Sequence, residues 1–263
     1  MSVAPGSPYS SACIAIKRQR NERLQTVRKR WLVTDSVDAV TSRTFAIGDL
    51  HGEITLPRQL LRQLLAHIQP TAGDILIFLG DYVDRGEDSV ATCEELSRLQ
   101  GQGASATGPR IIALRGNHDD AWLEVWTGNG YRKRPAIPGA RAIGKQYRGL
   151  PPASIGRFLE TTKLTYEDEH GFSCHAGIAP GLAPQEAGSE VWHWGAGDFL
   201  TSTLRYPKSI VFGHYEVDEP LITPQRICLD TAGYRTGALT AMWMETRKVI
   251  QVRRMECTVR MIN

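Results

Sequence analysis

Three short hydrophobic runs each end in a segment carrying Asp, His or Asn, and this pattern most narrows what the chain can fold into. Thr44-Phe45-Ala46-Ile47 leads into Gly48-Asp49-Leu50-His51-Gly52. Ile75-Leu76-Ile77-Phe78-Leu79 leads into Gly80-Asp81-Tyr82-Val83-Asp84-Arg85-Gly86, and Ile111-Ile112-Ala113-Leu114 leads through Arg115 into Gly116-Asn117-His118-Asp119. Such short aliphatic runs read as strands buried on both faces of a parallel sheet. In an open α/β sheet the ligand site lies beyond the carboxyl ends of the strands. Three strands then bring oxygen and nitrogen donors to one place, as a metal site requires.

Between these runs the chain reads as helix. Ile54, Leu60, Leu61, Leu64, Leu65 and Ile68 have helical spacing over 53–68, and a second helix is expected from about Glu87 to Gln100. The Gly/Ala/Ser-rich stretch Gly101 to Pro109 reads as a loop, and Asp120 to Trp126 begins a third helix. The resulting β-α-β-α-β order implies a parallel sheet. Residues 128–150, rich in Gly, Pro, Arg and Lys, predict an irregular lobe. A short helix at 153–162 is followed mainly by strands, at 164–168, 171–175, 209–213, 226–230, 237–244 and 248–254. The pattern is therefore α/β in the first half and β-rich in the second.

Of the seven histidines, four (His51, His118, His175, His214) fall in the segments above or in Cys174-His175-Ala176-Gly177 and Phe212-Gly213-His214. A single Asp or His after a strand is often only a cap or turn residue. His67, His170 and His193 read as surface or helix-face residues. Cys174 points away from His175 if both lie on a strand, which argues against a nucleophilic role.

These five segments, in this order, resemble the signature of the calcineurin-like metallophosphoesterases. The likeness is greatest to the phosphoprotein phosphatase branch (GDxHG, GDxVDRG, GNHE), and the chain carries Asp119 in place of the Glu. The resemblance covers roughly residues 44–245 and implies a two-sheet β-sandwich flanked by helices. It also implies a site of two divalent ions, Mn with Fe or Zn as alternatives, that activate water against phosphorus without a phosphoenzyme. Asp49 and His51 match ligands of the first ion, Asp81 matches the bridge, and Asn117, His175 and His214 match ligands of the second. His118 matches the acid that protonates the leaving oxygen, with Asp84 its partner, and Arg85 matches a phosphate-binding residue.

Arg115 is read either as a phosphate contact or as half of a buried ion pair, and Tyr215 as a substrate contact. A second phosphate-binding arginine is expected near the Trp192-His193-Trp194 segment, but none is there. Arg141, Arg148, Arg205 and Arg235 are the candidates. The resemblance implies a metal-dependent phosphomonoesterase acting on phosphoserine or phosphothreonine. The alternative is a dinucleoside polyphosphate hydrolase, acting on diadenosine tetraphosphate. The expected partner is a phosphoprotein or a small phosphoester.

Composition sets the remaining bounds. The 263 residues, 41% hydrophobic and 22% charged, suit one soluble catalytic domain over 44–263. The net charge of +3 is uneven, because residues 1–43 carry eight basic side chains against three acidic ones. This stretch reads as a partly disordered basic arm, an organellar transit peptide, or residues from an upstream start. It has no interleaved aromatic pattern to support nucleic-acid binding. Five scattered cysteines without C-x-x-C spacing argue against a disulfide framework and suggest a reducing, cytoplasmic compartment. No apolar stretch approaches the roughly 20 residues of a membrane span.

Overall fold

The computed structural model describes residues 42–128, 137, 139 and 149–254, together with the backbone of 256–262. The basic arm, apart from Ser42 and Arg43, and most of the expected lobe at 128–150 lie outside the described residues.

The first sheet is built on the three runs. Strands β1 (Thr44–Ile47), β2 (Ile75–Phe78) and β3 (Arg110–Ala113) pair in parallel, in register Thr44 to Ile75 and Ile75 to Arg110. Helices α1 (Thr55–His67) and α2 (Ser89–Ala104) connect them, and α3 (Asn117–Trp126) and α4 (Ala153–Glu160) follow β3. Strands β4 (Thr165–Glu167), β5 (Phe172–Cys174), β6 (Ile210–Phe212), β7 (Leu221–Ile222) and β8 (Arg226–Cys228) form the second sheet. There β5, β6 and β8 are parallel, while β4 and β7 run antiparallel at the edges. The short helix α5 (Gly188–Trp194) sits between β5 and β6, and α6 (Gly233–Thr236) follows β8. The chain then returns to the first sheet as β9 (Ala238–Trp243), β10 (Lys248–Arg253) and β11 (Glu256–Ile262), giving the order β11-β10-β9-β1-β2-β3.

Alternation along the strands sorts the core into layers. Ala46, Ile77 and Ile112 face Val211, Ile227 and Leu229 of the second sheet, and this cluster is the filling of a sandwich. Phe45, Ile47 and Phe78 point the other way, onto Leu56, Leu60 and Leu64 of α1 and Leu96 of α2. The three α1 leucines are spaced by four and so share one face of the helix. Burying each such side chain contributes about 1.5–3 kcal/mol. A third cluster, with Phe172, Cys174, Phe212 and Cys228, covers the outer face of the second sheet. The expected α/β sandwich flanked by helices is the fold observed.

Two boundaries differ from the sequence reading by more than two residues. Helix α2 runs to Ala104, through Gly101 and Gly103, where a loop is expected. A Cβ at Gly103 would stand 2.6 Å from the Pro109 carbonyl oxygen, so glycine there lets the helix lie against the chain entering β3. Helix α3 starts at Asn117, three residues early, because Gly116 serves as its N-cap. Asn117 and His118 thus belong to a first helical turn.

Candidate metal centre

Five strand ends drawn from both sheets meet at one point. Asp49 and His51 follow β1, Asp81 follows β2, Asn117 opens α3 after β3, His175 directly follows β5 and His214 follows β6. Apart from His214, which is partly exposed, all of these side chains are buried. The backbone is bent to reach this arrangement. Nine described non-glycine residues have φ between +47° and +67°, and His51, Asp81, Asp84, Arg85 and His214 are five of them. Left-handed conformations of non-glycine residues are costly and gather at functional sites.

Asp81 is the hub. Its Oδ2 lies 3.3 Å from His51 Nε2 and 3.5 Å from His175 Nε2, while its Oδ1 accepts the His118 backbone N–H at 3.0 Å. Ligating atoms of His51, Asp81 and His118 lie within 4.8 Å of one another, as do those of Asp81, His175 and His214. Asp81 belongs to both groups, as a bridging carboxylate must. Asn117 Oδ1 lies 3.0 Å from His175 Nε2 and 3.1 Å from His214 Nδ1. Asp49 Oδ2 accepts the His214 backbone N–H at 3.0 Å, and its Oδ1 is buried with no hydrogen-bond partner.

The imidazoles are aimed from behind. His51 Nδ1 bonds the Val83 carbonyl at 3.0 Å and His175 Nδ1 the Leu79 carbonyl at 2.9 Å, so each presents Nε2 to the centre. Burial, assisted by the charges of Arg85 and His118 and opposed by Asp81, lowers His51 to about 3. Burial and the neighbouring His175 charge lower His214 to about 3. At His175 the charges of Asp81 and Asp49 overcome burial and raise the imidazole to about 10. Burial and Asp230 push Asp49 well above the usual carboxylate range. His51 and His214 are therefore held neutral, while the crowded carboxylates draw positive charge into the pocket, where the His175 imidazolium now supplies it. An orphaned carboxylate oxygen, a shared carboxylate and carbonyl and imidazole donors fit a pair of divalent cations.

His118 stands beside this cluster. Its Nδ1 lies 2.6 Å from Asp84 Oδ2, and its ring meets His51 edge-on at 4.9 Å. Burial lowers its pKa, but the charges of Asp81 and Asp84 more than reverse this and hold it above the usual histidine value. The sequence reading missed the donor that fixes Asp84: Trp122 Nε1 bonds Asp84 Oδ1 at 2.9 Å, one helical turn after His118.

A family model for the calcineurin-like phosphoesterases matches residues 42–235. The chain belongs to that family. This calcineurin-like phosphoesterase is 39% identical over 88 residues to the symmetrical bis(5'-nucleosyl)-tetraphosphatase of Burkholderia thailandensis, a match covering 34% of this chain and 27% of that protein. The chain thus spans less than a third of the length of the curated relatives it matches. Its fold resembles the crystal structure of a putative diadenosine tetraphosphatase (TM-score 0.57, 22% identity, 81% of this chain and 94% of that one). It also resembles a cold-active protein-tyrosine phosphatase of a psychrophilic Shewanella species (TM-score 0.57, 16% identity, 84% and 80%).

Asp119, where the resembled branch carries Glu, has a role in this calcineurin-like phosphoesterase that the sequence did not reveal. Its Oδ2 accepts the backbone N–H of Asp81 at 2.7 Å and of Gly116 at 2.9 Å, and its Oδ1 that of Tyr82 at 2.8 Å. One buried carboxylate thereby ties the Asp81 loop to the start of α3. Any Cβ at Gly116 would overlap the Asp81 carboxylate, so the approach needs glycine.

Two of the expected site residues, Arg115 and Tyr215, stand outside the ligand cluster. Arg115 is held by Thr162, Nε to the hydroxyl at 2.9 Å, with Asp120 3.7 Å from its Nη1. This is the ion-pair reading of Arg115. Tyr215 is 4% exposed in the third hydrophobic cluster, its ring edge-on to His214 at 4.9 Å, which makes it a packing support for that histidine. His193, expected at the surface or on a helix face, lies on α5 and is 2% exposed, its Nδ1 3.7 Å from Asp120, because α5 packs its last turn inward. Trp194 beside it meets His214 edge-on at 6.4 Å. Arg85 is paired with Glu216 at the rim of the centre.

Proposed function

We propose that this metallophosphoesterase is a metal-dependent phosphoric monoester hydrolase that removes phosphate from phosphoserine and phosphothreonine in proteins. The observation that carries the reading is the His118–Asp84 pair at 2.6 Å, beside a cluster suited to two cations. Asp49 and His51 would hold one ion, Asn117, His175 and His214 the other, and Asp81 both. Bound there, two divalent ions, Mn or alternatively Fe or Zn, supply Lewis-acid polarisation of the phosphoryl group and a nucleophile derived from water.

The chain's own residues do the remaining work. An aliphatic alkoxide is a poor leaving group and needs a proton as the P–O bond breaks. His118, its pKa held above the usual histidine value by Asp81 and Asp84 against burial, is placed to give it. Asp84 fixes the tautomer and Trp122 fixes Asp84. Arg85 offers its planar fork to phosphoryl oxygens. The three free cysteines among the described residues are buried, which supports a reducing, cytoplasmic setting.

The names of the matched relatives favour a second reading, hydrolysis of diadenosine tetraphosphate. A nucleotide phosphate leaves readily and depends less on an acid. Specificity constants for a phosphoserine peptide and for diadenosine tetraphosphate, measured on wild type and on His118→Asn, separate the two. The proposal expects the peptide to be preferred and its hydrolysis to fall about 10²–10⁴-fold in the variant. Preference for the dinucleotide, or equal hydrolysis of the peptide by His118→Asn, contradicts it.

A further inference from the structure

Glu216 lies two residues after His214 and holds a group of donors, of which Arg85 and Tyr234 adjoin the candidate centre. Its carboxylate pairs with Arg85 Nη1 through one oxygen and with Arg235 Nη2, at 2.9 Å, through the other. The Tyr234 hydroxyl donates to the same carboxylate at 2.9 Å and accepts from Arg85 at 3.2 Å. The Arg85 guanidinium also lies over the Tyr234 ring, 5.2 Å from its centroid, and that ring meets His51 edge-on at 5.4 Å. Donors from two separate chain segments thus converge on one anion at the lip of the metal cluster. Two guanidinium forks and a phenol around a two-oxygen acceptor are also the donor set that binds a phosphoryl group.

We propose that Glu216 is a resident anion occupying the phosphoryl cradle formed by Arg85, Tyr234 and Arg235, and that substrate phosphate enters by displacing it. This deepens the hydrolase reading and rests on it. It assigns Arg235, on α6, as the second phosphate-contacting guanidinium. Of the other candidates, Arg205 is exposed with no place in this group, and Arg141 and Arg148 lie outside the described residues. The exchange is open because the Arg85–Glu216 pair is itself partly exposed, 35% and 29%, and ion pairs at that exposure are weak. One anion replaces another, so neither guanidinium is left uncompensated. The competing view, in which Glu216 only holds Arg85 in position, predicts the opposite sign when the carboxylate is removed.

The test uses the full chain loaded with Mn and inorganic phosphate as the probe. Binding is read by calorimetry and by competitive inhibition of p-nitrophenyl phosphate hydrolysis. Glu216→Gln removes the competing charge and is expected to tighten phosphate binding about five- to tenfold, with KM for p-nitrophenyl phosphate falling. Arg235→Gln is expected to weaken phosphate binding by a similar factor. In the double variant the two effects are expected not to add, since one exchange couples them. Unchanged or weaker phosphate binding in Glu216→Gln overturns the proposal. If that variant does not fold, Glu216→Asp, with a shorter reach, is expected to tighten binding less, and weaker binding in it is equally fatal. Calorimetry needs no turnover. Phosphate binding that responds as expected in a chain that hydrolyses nothing would leave the cradle standing and remove the hydrolase reading.

Discussion

Asp84 receives one hydrogen bond from His118 and one from Trp122, and so neither carboxylate oxygen is left to turn. Trp122→Phe removes the second bond while keeping the apolar bulk of the ring. It is expected to lower kcat for p-nitrophenyl phosphate by less than His118→Asn does, without changing metal content. Steady-state kinetics paired with elemental analysis checks both halves. Asp119→Asn is expected to cost more in stability than in charge, because an amide retains only one oxygen for three backbone N–H groups. Thermal unfolding is expected to show a loss of about 1–3 kcal/mol. At this scale the ligand-type residues were legible, since Asp, His and Asn sit at strand ends within five short segments. Trp122, Glu216 and Tyr234 were not, because their roles arise from partners on other segments. The function of Asp119 was hidden too, although its position was marked as a departure from the pattern.

Among the elements, β2 is anchored at its start by Asp74, whose side chain is fully buried against Arg43. Burial acts to raise its pKa, but the Arg43 guanidinium and the Thr71 and Arg43 backbone N–H groups outweigh this and hold the carboxyl below its usual value. A depressed folded-state pKa adds stability above the unfolded value of 3.8, and that stability is lost as pH falls through the folded value. Asp74→Asn is therefore expected to be less stable than wild type at neutral pH, with the gap closing below about pH 4. Denaturant melts at pH 7 and pH 3 read the difference, and a gap that widens in acid contradicts the assignment. Gly103→Ala is a second test. Alanine is the better helix former by about 1 kcal/mol, yet its Cβ would meet the Pro109 carbonyl, so a net loss of stability is expected. Long periodic helices and aliphatic strands were readable from local pattern. The end of α2 was not, because contact with the β3 approach decides it, and α5, α6 and β7 are too short to carry a period.

At the scale of the molecule, two sheets meet so that β1, β2 and β3 from one and β5 and β6 from the other end at the same point. The motifs foretold that convergence, whereas the return of β9 to pair antiparallel with β1 depends on contacts nearly two hundred residues apart. No helix among the described residues is long and apolar enough to cross a membrane. A centre of buried carboxylates should stabilise the fold when cations bind it, by about 2.7 kcal/mol at a hundred times Kd. Chelation is expected to lower the melting temperature and abolish phosphatase activity together, and Mn to restore both.

Elemental analysis of Mn-reconstituted, dialysed protein tests the centre most directly, with wild type and Asp81→Asn compared. About two ions per chain are expected in wild type, with most of that binding lost when the shared carboxylate is neutralised. Fewer than one ion in wild type, or two that persist in Asp81→Asn, would contradict a paired-cation centre built on Asp81.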